Sequence, residues 1–314
     1  MEKIDISFVI PVKDEEGTLD ELYKEIVKNT ISLNLSFEII FVDDGSTDNS
    51  YEILKEIHKK DKRVKLIKFR RNFGKASALS SGFQRAKGEI IITMDADLQD
   101  DPKEIPRFIE KIKEGYDLVS GWKKERKDPL TKKIPSKIFN KLASILTGVK
   151  IHDFNCGYKA YRREVIENLE IYGELYRYIP ALAHSKGFSV TEIPVIHHER
   201  KHGKSKYGWE RILKGFLDLI TVIFITKFLK RPMHFFGGTG IIFFITGFII
   251  NLSLVIYKFL TGALIGTRPL LTLGVLLMIV GVQFLSIGLI AEMLNNITHE
   301  RKREYLILEE IGFE

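Results

Sequence analysis

One cysteine, Cys156, is all that 314 residues contain. No internal disulfide can form, so packing alone must hold the fold, and a reducing compartment suits it. Charge is missing from two long stretches: Phe235–Tyr257 and Pro269–Ala291 each run 23 residues without Asp, Glu, Lys or Arg. Also absent are a Gly-x-Gly-x-x-Gly fingerprint and a Walker sequence, so neither a dinucleotide cofactor nor ATP is indicated. What remains, 45% hydrophobic and 28% charged, excludes a disordered, collagenous or disulfide-stapled chain.

The net charge of +7 is local. Gly121–Lys150 holds nine cations against Glu125 and Asp128, an excess equal to that of the whole chain. A second basic cluster spans Glu199–Lys214, so something anionic is met at two places. The mean hydropathy of −0.03 averages unlike parts. Each uncharged run can cross a hydrocarbon core, which needs about 20 residues of helix; two buried core helices are the alternative. Lys227, Lys230 and Arg231 precede the first run and Arg301, Lys302 and Arg303 follow the second, while only Lys258 and Arg268 lie between. By the positive-inside rule both ends of this hairpin are cytoplasmic. Ile4–Val12 is too short for a signal-peptide core and reads as a strand.

Ile6–Val12, Phe37–Val42, Val64–Phe69, Ile90–Met94 and Leu118–Ser120 are short and rich in Ile and Val, as strands buried on both faces are. Between them lie helix starts: Thr18 with Glu21 as a capping box, and Asp101-Pro102 as an N-cap with proline at N1. The alternation predicts an α/β fold with a mostly parallel sheet, and ligands bind beyond the carboxyl ends of such strands. Polar residues gather there: Asp14 and Glu15, then Asp43-Asp44-Gly45-Ser46, then Asp95 to Asp100. An acidic turn capping the next helix is an alternative account of Asp43–Ser46. Several carboxylates at one strand end repel one another unless a cation offsets them, and oxygen ligands of this kind suit Mg²⁺ or Mn²⁺ holding substrate phosphates. Gly74-Lys75 can approach a donor phosphate, although a helix start with a solvated lysine is the plainer account.

These residues together resemble glycosyltransferase family 2, of the GT-A (Rossmann-like) fold. The resemblance rests on Ser7–Pro11 with Glu15, Val42–Asp48, Arg71–Lys75 and Met94–Asp100. Asp153–Tyr161 and the loop Arg200–Tyr207 narrow it to the polyisoprenyl-phosphate glycosyltransferases, the dolichol-phosphate mannose synthase and bactoprenol glucosyltransferase group. The resemblance implies helices on both faces of the sheet and a C-terminal two-helix transmembrane hairpin. It implies a cytoplasmic catalytic domain over 1–210, a juxtamembrane interfacial helix over 211–233, two spans within 234–292 and a cytoplasmic tail over 293–314. It also implies inverting transfer of a hexose, UDP-glucose favoured as donor, to a polyprenyl phosphate at the cytoplasmic face of the cell membrane. Pro11, Glu15, Asp43, Asp44, Asp95 and Lys75 then form the donor site, and Asp95, Asp97 and Gln99 hold Mg²⁺ or Mn²⁺. Arg200 closes over the diphosphate. Lys123, Lys133 and Ser136 stand where the group places two arginines and a serine for the acceptor phosphate, with Ser205 and Lys206 fixing the neighbouring loop. Lysines neutralise phosphate without the bidentate fork of arginine. A homo-oligomer such as a tetramer is a further implication.

The chemistry follows from general principles. A metal stabilises charge on the departing diphosphate. A phosphate monoester with a second pKa of about 6 is already largely dianionic at neutral pH and hardly needs a base, so Asp153 is open between general base and orienting group. Ile134, Ile138, Leu142, Ile145, Leu146 and Val149 recur at helical spacing beside Lys133, Lys137 and Lys141, which suits an amphipathic helix in an anionic interface; a core-packed helix with a solvated lysine face is the alternative. Ile212–Leu229 reads as another interfacial helix. His197, His198 and His202 read as loop residues, Cys156 as an inert small hydrophobe. Competing functions are a GDP-mannose-dependent dolichol-phosphate mannose synthase, a processive polysaccharide synthase, which lacks its Q-x-x-R-W sequence here, and a non-catalytic nucleotide-sugar-binding membrane partner. Nucleic-acid binding is disfavoured because a lone aromatic, Phe139, interleaves the lysines of the basic helix and a membrane anchor follows.

Overall fold

The computed structural model describes residues 4–124, 130–169, 175–198, 210–228, 231–262, 264–266 and 268–299, with backbone alone for 130–138, 210–216, 296 and 298–299. The chain divides into two compact units after Val222. In the first, seven strands form one sheet: β1 (Ile6–Val12), β2 (Phe37–Asp43), β3 (Val64–Lys68), β4 (Ile90–Thr93), β5 (Leu118–Trp122), β6 (Lys159–Arg162) and β7 (Val190–Pro194). Their order is β3-β2-β1-β4-β6-β5-β7, parallel except for β6.

The five apolar runs all become strands, but β3 lies at an edge and only Val64 is buried there, so burial on both faces fails for that strand. β6 and β7 lie outside those runs. Within β1, Ile6, Phe8, Ile10 and Val12 pack on one side with Leu19, Leu22 and Ile26 of α1 (Leu19–Ile31), Leu54 of α2 (Ser50–Lys60) and Phe108 of α4 (Ile105–Lys113). Val9 points to the other side, against Ala78 and Leu79 of α3 (Lys75–Phe83) and Ile179 and Ala183 of α7 (Ile179–Ser185), which comes after the short α6 (Arg163–Glu167). Helices therefore cover both faces, as the period-two alternation of a doubly covered sheet requires. Pro11 is tolerated in a central strand because β1 pairs with β4 only through Val9, which leaves the proline nitrogen without a ladder role on that side.

The capping box does not form. Thr18 precedes α1 but its hydroxyl donates to Ala96 O at 2.6 Å, tying the start of α1 to the loop after β4. Asp101 does cap, accepting from Lys103 N at 3.0 Å, with Pro102 opening a 3₁₀ turn ahead of α4. Helix α5 (Leu130–Thr147) buries Asn140 and Ala143 while leaving Leu142 and Ile145 38% and 67% exposed. Those two positions of its apolar stripe are thus not core-packed, whereas Val149 of the same stripe is buried. In α8 (Glu210–Ile223), Leu219 and Val222 are buried and Leu217 and Ile220 exposed.

In the second unit, α9 (Pro232–Thr261) and α10 (Pro269–His299) form an antiparallel pair, both long and apolar enough to cross a membrane. Their seam is built on glycine. A Cβ on Gly240 would stand 2.7 Å from Gly281 O, and one on Gly247 2.4 Å from Gly274 O. Close backbone approach of this kind is how apolar helices gain contact without a hydrophobic driving force between them. Glu292 accepts from Met233 N at 3.2 Å, satisfying one of the free N–H groups at the start of α9. Gly247→Val should lower the thermal midpoint of the detergent-solubilised protein, at a cost of about 1–3 kcal/mol for overpacking; Gly238→Val, where an added Cβ meets nothing within 4 Å, is the control.

Candidate active site

The carboxyl ends of β1, β2 and β4 meet at the point where strand order reverses, and the acidic residues gather there. Asp43 ends β2 fully buried; one carboxyl oxygen accepts from Ser46 N at 2.9 Å and the other has no hydrogen-bond partner among the described residues. Asp44 is committed elsewhere. Its two oxygens accept from Phe73 N (2.6 Å) and Gly74 N (2.9 Å), so it shapes the loop that starts α3. Gly45, at φ 69, lets that turn close: a Cβ there would stand 2.6 Å from the Arg71 backbone. Asp14, itself at φ 54, accepts from Thr47 N at 2.8 Å, and Glu15 N donates to Ser50 Oγ at 2.9 Å, lacing the β1 loop to the β2 loop.

The loop after β4 carries the densest charge. Lys75 does not point to solvent; its ammonium pairs with Asp95, because α3 starts directly across from the end of β4. Burial opposes ionisation of Asp95, yet the charges of Lys75 and Lys123 hold its carboxyl down at about 2. Asp97 goes the other way: burial, then the charges of Asp95 and Asp100, push it up to about 6. Leu98, between Asp97 and Gln99, has a strained φ of 59. Gly157 presses on Asp95 from the far side, where an added Cβ would stand 2.9 Å from both carboxyl oxygens. Gly157→Ala should therefore cost about a hundredfold in rate by displacing Asp95, on the scale of a 1 Å misplacement, with little change in thermal midpoint.

Lys123 is placed differently from an open phosphate receptor. Leaving the end of β5 it turns inward, its side chain 9% exposed, and pairs with buried Asp100 at 3.0 Å. Burial works against its charge, but Asp100 more than compensates and holds the ammonium well above the usual lysine range. His197 and His198 are more than loop residues. His197 bridges to Asp100 as a short β contact, His198 N donates to Gln99 O at 2.9 Å, and His198 Nε2 meets Asp101 at 3.0 Å. The segment before Arg200 is thus stitched to the Asp95–Asp101 loop, a link between residues about a hundred apart that carries no local sequence signal.

Asp153 is buried beside these groups. One oxygen accepts from Asn155 N at 3.0 Å and the other has no hydrogen-bond partner among the described residues. Buried Lys159 donates to the Cys156 carbonyl and, at 3.5 Å, to that of Phe154, which fixes the loop. Cys156 is buried, and burial pushes its thiol up to about 12, so it is inert. Lys133 and Ser136 lie in the first half of α5, over 130–138, where only the backbone is described; Arg200, His202, Ser205 and Lys206 lie outside the described residues.

Residues 7–170 match the sequence profile described as glycosyl transferase family 2. The chain belongs to glycosyl transferase family 2. It is 38% identical to the dodecaprenyl-phosphate galacturonate synthase of Rhizobium johnstonii, over 94% of this chain and 88% of that protein. It is also 34% identical to the undecaprenyl-phosphate 4-deoxy-4-formamido-L-arabinose transferase of Proteus mirabilis, over 99% and 95% respectively. Among solved structures, glucosyl-3-phosphoglycerate synthase from Mycobacterium tuberculosis, in complex with Mn²⁺, UDP and phosphoglyceric acid, superposes with a TM-score of 0.54 at 18% identity. That match covers 71% of this chain and 78% of that one, and shows the shared GT-A fold. As a family 2 enzyme the protein is a glycosyltransferase, and the acidic strand ends are where its site is to be sought.

A divalent ion fits the residues present. Burial and the neighbouring charge of Asp95 push the Asp97 carboxyl up to about 6, an electrostatic cost that a bound cation relieves. Among the described residues no three His, Cys, Asp or Glu side chains form a closed cage. An open set of one or two carboxylates completed by substrate phosphates is the usual pattern for Mg²⁺ and Mn²⁺ sites at transferring phosphates.

Proposed function

We propose that the protein transfers a sugar from a nucleotide-sugar donor to a polyprenyl phosphate at the cytoplasmic face of a membrane. What carries this reading is that the likeness to polyprenyl-phosphate transferases spans 94–99% of the chain, the apolar helix pair included. Asp43, with Pro11 and Glu15, holds the nucleoside at the β1–β2 ends. Asp95, Asp97 and Gln99 hold the divalent ion, which supplies Lewis-acid stabilisation of the departing diphosphate. Lys75, beside Asp95, would lie within reach of the same diphosphate. Asp153 orients the incoming phosphate, whose dianion attacks the anomeric carbon in a single inverting displacement while Arg200 covers the leaving group. Lys133 and Ser136 receive the acceptor phosphate; Lys123 keeps the acidic cluster in place behind it.

The spans are proposed at about 235–257 and 269–291 with both ends cytoplasmic, after a juxtamembrane segment over 211–233 and a domain over 1–210, the protein acting as a homo-oligomer. The relatives' names point to a uronic acid and an amino sugar, so the donor screen extends beyond UDP-glucose and GDP-mannose to nucleotide-linked galacturonate and 4-deoxy-4-formamido-L-arabinose. Purified full-length protein, undecaprenyl phosphate and each radiolabelled donor are incubated with Mg²⁺ or Mn²⁺, and lipid-extractable label is counted. Label from one donor, lost in EDTA, is expected. No label from any donor, with Asp97→Ala matching the parent throughout, would sink the proposal.

A further inference from the structure

We infer that Glu192 is a positioning residue that sets Asp153 through a clamp on the residue before it. Glu192 comes from β7 and faces the loop that leads into β6. One of its carboxyl oxygens accepts from the backbone His152 N–H at 2.7 Å and the other meets the His152 ring at Nδ1. The free face of that ring stacks on Trp122, at the end of β5, with centroids 4.2 Å apart and planes 16° from parallel. Trp122 is held in turn by the β5–β7 ladder: it sits opposite Pro194, and Val195 N donates to its carbonyl at 3.0 Å. Residue 152 is therefore gripped at backbone and side chain by two neighbouring strands, although its side chain is 66% exposed and a surface histidine needs no such hold.

The purpose lies one residue on. Asp153 is buried, and one of its oxygens makes no hydrogen bond among the described residues, so nothing attached to that oxygen fixes its aim. Its direction is set by the bond that its other oxygen accepts from Asn155 N and by the backbone on either side, which is fixed by Glu192 at 152 and by Lys159 at the 154 and 156 carbonyls. A carboxylate that must meet an incoming phosphate within a few tenths of an ångström gains rate from such a frame, since misplacement by about 1 Å can cost a hundredfold. Glu192 touches neither donor nor acceptor in this scheme and acts only through the 152–153 peptide.

This inference rests on the proposed role of Asp153, and a double-mutant cycle separates the two. Full-length parent, E192A, E192Q, H152A, D153N and E192A/D153N are compared with undecaprenyl phosphate, Mn²⁺ and whichever screened donor turns over fastest. E192A is expected to lower kcat tenfold or more with donor KM unchanged. E192Q, which can accept from the backbone N–H and donate to the ring, recovers most of that loss. H152A, which keeps the backbone bond alone, falls between, and it carries the test if E192A does not fold. In the D153N background E192A costs no further activity. Equal losses from E192A in both backgrounds, or a loss in E192Q as deep as in E192A, overturn the clamp. D153N at the parental kcat overturns the inference too, but by removing the role of Asp153.

Discussion

Asp97→Asn should abolish transfer and, in the absence of metal, make the protein more stable at neutral pH. The loss of rate is expected to reach at least about a thousandfold if the carboxylate holds the divalent ion as proposed, since charge stabilisation by such an ion amounts to several kcal/mol. The gain in stability follows from its titration. In the folded protein Asp97 is pushed up to about 6 by burial and by Asp95 and Asp100, whereas in the unfolded chain it ionises near 3.9. A raised carboxyl pKa contributes stability that is complete below about pH 4 and is lost as pH climbs through about 6. At pH 7 the parent has therefore given up about 2 kcal/mol, allowing for the partial exposure of the group, and asparagine has not. Thermal denaturation in EDTA from pH 4 to 8 should show the two proteins together at the acid end and D97N several degrees higher at the neutral end. A difference that stays constant across this range would contradict the assignment. Mn²⁺ should raise the parent's midpoint and leave that of D97N unmoved.

Lys123→Met should damage the fold before it damages acceptor binding. Asp100 is buried and pairs with Lys123 at 3.0 Å; without that ammonium it becomes an uncompensated interior charge, which costs about 3–5 kcal/mol. For a domain of this size the midpoint falls by roughly 10 °C. Asp100→Asn added to Lys123→Met should restore most of the loss, since removing both charges avoids the penalty. Asp95 also loses one of the lysine charges that hold it ionised, so its carboxyl should titrate higher than in the parent. An open phosphate receptor behaves oppositely: the midpoint stays put and the KM for undecaprenyl phosphate alone rises. Thermal denaturation alongside lipid-dependent kinetics distinguishes the two directly.

The parts of this molecule legible in sequence are those fixed by local pattern. Short Ile/Val runs became β1 to β5, and uncharged runs became α9 and α10, because burial and hydrocarbon length act on contiguous residues. β6 and β7 escaped since Lys-Ala-Tyr-Arg and Val-Thr-Glu-Ile-Pro mix polar and apolar residues and are strands only because neighbours pair with them. Within the site, the acidic strand ends were readable; their counter-charges were not. A lysine after a strand gives no sign of which carboxylate it will meet, and Lys75 with Asp95 and Lys123 with Asp100 are each decided by how strands are ordered in the sheet. Thr18 shows the same limit on a smaller scale: its sequence suits a cap, but a carbonyl 78 residues away takes the hydroxyl.

The glycine seam between α9 and α10 divides the hairpin into positions under two different rules. At Gly240, Gly247, Gly274 and Gly281 a single added carbon meets the opposite helix, whereas outward Ile242, Phe248, Leu276 and Ile279 need only be apolar. A saturation library over the two helices should therefore show intolerance recurring at intervals of seven residues on each, with free interchange of apolar side chains in between. Over evolutionary time the outer faces can drift while the seam stands still, so two distant relatives could exchange whole hairpins more readily than single helices.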